Sequence, residues 1–212
     1  MAMASPATAA TTIFDETFEE VPDPDGGFIG DDGKGFGIFD EAGVWTAGPG
    51  DHKGIELQWG GPAGAPAADG GRVFVELDTR RNSSMHYTLL HSGEFVLDFL
   101  YSPRAHIEAE SNIIVVSING QAQVFTGPIT GTNDSTQWRE ESFTFTGSVG
   151  DKLIIAAGGI SDRKGGYIDN TKLTLLGSVP EPATWLMMIL GLGAVGATMR
   201  QRQKATGRPQ FS

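Results

Sequence analysis

Apolar and polar residues alternate along most of residues 12–177. The stretch "RVFVELD" sets Val73, Val75 and Leu77 against Phe74, Glu76 and Asp78, and "EFVLDFLYS" sets Phe95, Leu97, Phe99 and Tyr101 against Val96, Asp98 and Leu100. A period of two sends such sets to opposite faces of a strand. In "NIIVVSINGQAQVF" the pair Asn119-Gly120 separates two β-rich runs. Both central residues of a type I′ turn need positive φ, so this pair predicts a hairpin. "SFTFTG", "DKLIIAAGG" and "GGYIDNTKLTLL" read as further strands. The pattern predicts about nine or ten strands and no amphipathic stretch of helix length. Without a self-similar period there is no solenoid or propeller, and a two-sheet jelly-roll sandwich suits the strand number best.

Composition agrees with this picture and narrows the chemistry. The 30 glycines and 11 prolines fit many turns, and 39 % hydrophobic residues can fill one core. With no cysteine there is no disulfide framework, thiolate zinc site or thiol nucleophile. The net charge of −11 is unevenly placed. Four of the 15 basic residues (Arg200, Arg202, Lys204, Arg208) and one of the 26 acidic residues (Glu181) lie beyond residue 179. Everything before them therefore holds fourteen more acids than bases, a surface that repels nucleic acid phosphates.

The C-terminal pattern is different. In "SVPEPATWLMMILGLGAVGATMRQRQK" no charge occurs from Ala183 to Met199. As a helix at 1.5 Å per residue those positions span roughly 25 Å, enough for one crossing of a bilayer core. Trp185 stands at one end and the basic cluster at the other, which sets the N-terminal part outside and the C-terminus inside. "GLGAVG" fits the spacing of a dinucleotide-binding turn, but too little chain follows it for a βαβ unit; its small residues suit close packing of membrane helices.

A Pro-Glu-Pro triplet, an apolar helix and a basic cluster, in that order from Val179 to Lys204, resemble the PEP-CTERM sorting signal of Gram-negative bacteria, also called an ice-binding protein C-terminal domain. The resemblance implies recognition by an exosortase, with Pro180, Glu181 and Pro182 as the processing site. It also implies export, tethering to the inner membrane as a precursor, and final residence at the cell surface or in an extracellular polysaccharide matrix or biofilm. "MAMASPATAA" has the small residues of a signal-peptide cleavage region without a basic start or an apolar core, so the expectation is a leader removed or encoded upstream. The layout that follows is residues 1–11 as a remnant or disordered, 12–177 as a β-sandwich ectodomain, 178–204 as the sorting tail with a transmembrane helix at 183–199, and 205–212 as a disordered end.

The body carries a resemblance too. "TFEE", "GVW", "IELQWG", "AADGGRVFVELD", "LDFLYSPR", the "ING" hairpin, "WREESFTFTG" and "GGYIDNTKL", in this order, are similar to extracellular galactose-binding-like jelly-roll domains. That resemblance implies a carbohydrate-binding-module-like fold, frequently with a structural calcium, and no catalytic centre. Glu19, or its neighbour Glu20, and Asp169 match the acids that meet where such a sheet closes and that hold calcium with loop carbonyls; the alternative is a pair of solvated acids.

For sugar binding the requirement is an aromatic face plus planar hydrogen-bonding groups. Trp45, Trp59, Tyr101, Arg104 and Trp138 are available, and Tyr101, Arg104 and Trp59 are the candidates chosen. Trp45 and Trp59 equally suit a core, and Arg104 equally suits an ion pair with Glu76 or Asp98. Catalysis is not expected: with so many acids some pair of carboxylates can always be nominated, the four histidines lack metal-ligand spacing, and no nucleophile elbow or phosphate loop occurs. The expectation is an exported, non-catalytic, glycan-binding module, the alternative a structural or adhesion component of the matrix.

Overall fold

The computed structural model describes residues 9–23, 27–30, 33, 35–49, 54–60, 67–127, 136–177 and Leu192. The chain divides into two units, Met1–Ser178 and Val179–Ser212. Apart from Leu192, the expected membrane helix at 183–199 lies outside the described residues, as does the Pro180-Glu181-Pro182 triplet. No helix among the described residues is long and apolar enough to cross a membrane.

The first unit is all-β: two antiparallel sheets face each other as a sandwich. Thirteen strands occur among the described residues: β1 (Thr11–Glu16), β2 (Gly35–Phe39), β3 (Glu41–Ala42), β4 (Trp45–Ala47), β5 (Ile55–Trp59), β6 (Val73–Glu76), β7 (Ser84–Thr88), β8 (Gly93–Ser102), β9 (Ile114–Ile118), β10 (Gln121–Phe125), β11 (Arg139–Gly147), β12 (Lys152–Ala157) and β13 (Tyr167–Gly177). The larger sheet runs β11-β8-β13-β6-β5-β2, with β1 also paired to β13; the smaller runs β10-β9-β12-β7-β4-β3. The count exceeds the nine or ten expected partly because β3 and β4 are two and three residues long, too short to show a period.

The alternation predicted from sequence is the alternation observed. Val73, Val75 and Leu77 from the β6 region, and Phe95, Leu97, Phe99 and Tyr101 from β8, all point into the core between the sheets. From the smaller sheet Trp45, Met85, Ile114, Val116, Leu153 and Ile155 meet them. Buried Trp45 also donates from Nε1 to Thr171 Oγ1 at 2.9 Å, which ties the two sheets together across the core. Asn119 and Gly120 have φ of 48° and 80° and close the β9–β10 hairpin, as their identity requires.

The core predicts its own sensitivity. Leu97 is fully buried in β8, between β11 and β13. Leu97→Ala lowers stability by roughly 2–5 kcal/mol, read as a lower urea midpoint with an unchanged slope.

Candidate functional site

The larger sheet is unusual in being covered on its outer face as well. Paired residues share a face, so the pairs Phe36↔Gln58, Ile38↔Glu56, Gln58↔Phe74, Glu56↔Glu76 and Glu76↔Tyr167 form two adjacent rows running across β2, β5, β6 and β13. Phe74 and Tyr167 pack edge-to-face at 4.7 Å in a small apolar cluster of their own, with Trp138 and Ala67 against it. Phe36, at the edge of these rows, leaves 65 % of its surface in solvent.

Glu76 lies in the row Ile38, Glu56, Glu76, Tyr167 and is only 1 % exposed. Its carboxylate accepts from Arg104 Nη1 at 3.1 and 3.0 Å, from the Gly165 amide at 2.6 Å, and from Gln58 Nε2. The same Gln58 amide donates to Glu56 at 2.8 Å. Arg104 in turn lies over the Tyr167 ring at 5.9 Å, with its side chain 21 % exposed. Loss of hydration raises the Glu76 pKa to about 8; Arg104 opposes the shift, while the charges of Glu56 and Asp78 add to it. Burial likewise raises Glu56 and Tyr167, so the phenol stays protonated throughout the neutral range.

Next to this cluster, buried Asp78 accepts from three consecutive amides, Asp162, Arg163 and Lys164, at 2.8, 2.9 and 3.2 Å. Glu76 and Asp78 thus pin the loop between β12 and β13, and Arg104 joins to them the segment after β8. Asn112, buried within that segment, accepts the Arg104 amide at 2.8 Å and fixes its backbone.

The acids proposed for calcium also come together. Asp169 on β13 accepts the amides of Ala68 (3.0 Å) and Asn170 (2.8 Å), and Glu19 accepts those of Arg72 (2.6 Å) and Val73 (2.9 Å). Both carboxylates therefore grip the short segment that leads into β6, from its two ends. Desolvation raises Asp169 to about 7; its two amide bonds oppose this, and the charges of Glu19 and Asp69 add to it. These two carboxylates fit a hard cation as far as they go, since each keeps lone pairs beyond those used by the amides. Calcium asks for six to eight oxygens, and no group of three or more acidic or histidine side chains suited to a metal occurs among the described residues. Loop carbonyls would have to supply the remainder. Asp69 and Asn170 lead on to an open, largely acidic hollow of about 730 Å³, lined also by Asp15, Asp98, Glu140 and Lys172.

Of the sugar-binding candidates, Arg104 lies in the polar cluster, paired with Glu76 and not with Asp98. Tyr101 does not belong there. It shares the inward parity of Phe95, Leu97 and Phe99, is fully buried, and donates its hydroxyl to the Asn112 carbonyl at 2.6 Å, so no sugar can stack on it. Trp59 is half-buried, and its side chain packs against the core. The residues that join Arg104 instead are Gln58, Glu56, Glu76 and Tyr167, with the exposed Phe36 across the ladder from Gln58. Sequence offered one signal for them: their parity is opposite to the core set.

The PEP-CTERM protein-sorting motif matches residues 178–203. No curated protein matches the chain. Solved structures with similarity include the CBM22-1 xylan-binding domain of Xyn10C from Paenibacillus barcinonensis, at 17 % identity and a TM-score of 0.43, covering 82 % of this chain and 99 % of that one. A family 35 carbohydrate binding module from Clostridium thermocellum follows at 16 % and 0.40, covering 66 % and 97 %. The K1 cleaved adhesin domain of Lys-gingipain from Porphyromonas gingivalis stands at 14 % and 0.40, covering 79 % and 99 %.

The two raised acids set a pH dependence. A carboxyl with a native pKa above its unfolded value binds more protons when folded, so stability falls as pH rises between the two values. For Asp169 that window runs from 3.8 to about 7, and for Glu76 from 4.5 to about 8. Chelator-treated protein therefore melts at a lower temperature at pH 8 than at pH 5, and Asp169→Asn flattens the slope between pH 4 and 7.

Proposed function

We propose that the chain is an exported surface protein whose sandwich, a non-catalytic jelly roll, binds carbohydrate at the Arg104 cluster. The observation that carries this reading is the joining of a sorting motif at residues 178–203 to a sheet face bearing an exposed aromatic ring beside fixed polar groups. Phe36 offers an apolar surface to the C–H side of a pyranose, and the partly exposed Glu56 and Arg104 offer planar groups for its hydroxyls. Arg104 is held by Glu76 before any ligand arrives, which lowers the ordering cost of binding.

Processing fits the same reading. An exosortase would cleave near Pro180, Glu181 and Pro182 while the apolar segment at 183–199 holds the precursor in the inner membrane, and the released sandwich would enter the surface matrix of a Gram-negative cell. Calcium would sit between Glu19 and Asp169, where it would relieve the mutual repulsion of Glu19, Asp69 and Asp169 and secure the segment leading into β6.

Fractionation of the native host tests the placement: a shortened chain at the cell surface is expected, and the intact polypeptide free in the cytosol would contradict it. Calcium added to chelator-treated protein raises the melting midpoint with increasing concentration, as a ligand selective for the folded state must. Glu19→Gln together with Asp169→Asn abolishes that rise; an unchanged melt in the parent protein removes calcium from the account.

A further inference from the structure

The chain before residue 179 is strongly acidic, and several of its cations are engaged by acids. Arg72 pairs with Glu19, Arg104 with Glu76, Arg139 with Glu141 and Lys172 with Asp15. Four others gather on two loops. Arg80 and Arg81 follow β6, Arg163 and Lys164 precede β13, and all four are exposed. None of them forms an ion pair with another described residue.

Hydrogen bonds clasp these two loops to each other. One oxygen of Asp78 accepts the amides of Asp162, Arg163 and Lys164, and the other accepts the Ser161 hydroxyl at 3.3 Å. Asn82 donates its backbone amide to Ser161 Oγ at 3.0 Å and its side-chain Nδ2 to the Gly159 carbonyl at 3.1 Å. Asp78 and Asn82 also bridge to each other, so Arg80 and Arg81 stand in a turn between two residues that both hold the opposite loop.

The acids of the same loops leave a cationic surplus at the surface. Asp78 is buried beneath the amides that it accepts, and Asp162 faces Ser111, whose hydroxyl it accepts at 3.2 Å. Arg163 has φ of 68°, a conformation that Gly or Asn takes more readily than a long side chain. A cation stands there against local preference. The patch adjoins the Arg104 cluster, because the Gly165 amide, next to Lys164, donates to the Glu76 carboxylate that pairs with Arg104.

Four cations brought together in this way call for an anion. At physiological ionic strength charges more than about 8 Å apart are largely screened when exposed, so the nearby cations outweigh acids elsewhere on the domain. Nucleic acid carries its phosphates too densely to keep clear of those acids. A glycan with carboxylate or sulfate groups sets one of them against the loops and spaces the next by a sugar ring.

We infer that the β6–β7 and β12–β13 loops form an anion-binding rim beside the Arg104 cluster, and that the glycan taken there bears carboxylate or sulfate groups. The inference rests on the glycan-binding reading above and narrows it to an acidic ligand class.

Affinity electrophoresis of the full chain in detergent tests it, in gels cast with polygalacturonate, dextran sulfate, a neutral β-glucan or single-stranded DNA at equal ionic strength. Retardation by the two acidic polysaccharides, fading as salt is added, is expected. Arg80→Gln with Arg81→Gln weakens it roughly three- to tenfold, the effect of two exposed charge contacts, and Arg163→Asn with Lys164→Gln does the same. Both variants alter exposed residues, so the melting midpoint stays unchanged, or rises where Asn relieves the backbone at 163. The basic cluster of the tail is common to parent and variants, so the differences belong to the loops. Acidic-polysaccharide retardation kept in full by both variants would move the site elsewhere and overturn the inference. Retardation by the β-glucan alone would overturn the acidic class and leave glycan binding in place. Equal retardation by DNA, lost in the same variants, would make the rim a surface for any polyanion and overturn the choice of a glycan. No retardation by any polymer would overturn both the inference and the glycan reading beneath it.

Discussion

A carboxylate buried in the middle of a sheet face is the constraint around which this part of the sandwich is arranged. Glu76 is removed from water, and an isolated charge there would be strongly unfavourable. Arg104, Gln58 and the Gly165 amide supply the compensation, and each belongs to a different part of the chain. Satisfying one acid therefore fixes the segment after β8, the strand β5 and the loop before β13 in a single arrangement. Two residues on, Asp78 repeats the device with three backbone amides and the Ser161 hydroxyl. The loops are ordered by charge satisfaction where a small all-β domain without disulfides has no covalent means.

The same logic recurs at Asp169 and Glu19, with an unfinished balance. Amides satisfy both carboxylates in part, the Arg72 guanidinium meets Glu19 at 3.4 Å, and Asp69 adds a further negative charge beside Asp169. Arg104 bonds Glu76 directly, whereas Asp169 is met by two backbone amides. That contrast supports the proposal of ligand recognition at the first cluster and of a structural cation at the second. The two raised acids differ accordingly: Glu76 faces a guanidinium, whereas the charges acting on Asp169 are those of further acids.

Legibility in the sequence followed the physics of each element. Alternation in β6 and β8 reports the core-facing set because their inward residues are apolar, and Asn119-Gly120 reports its turn through a φ requirement that few residues meet; in β13 a register shift between Asp169 and Lys172 changes the parity. The outer face was not legible in the same way. Phe74 and Tyr167 are covered by Trp138 and Ala67, residues distant in sequence, and alternation cannot distinguish a solvated face from one that loops fold over. Tyr101 differs from its expected role for another reason: its phase with Phe95, Leu97 and Phe99 places it inward, and that phase overrides the aromatic chemistry that suits a sugar platform. Arg104 was open between Glu76 and Asp98 because both have outward parity; only the register of β8, β13 and β6 separates them.

A double-mutant cycle between Glu76 and Arg104, using Glu76→Gln, Arg104→Met and the pair in urea unfolding, measures the central interaction directly. The account predicts that the single changes are far from additive, with a coupling of about 1–3 kcal/mol. Additivity within about 0.5 kcal/mol would mean that the buried acid and the guanidinium act independently, and would contradict the view that their pairing holds this face of the sheet in form.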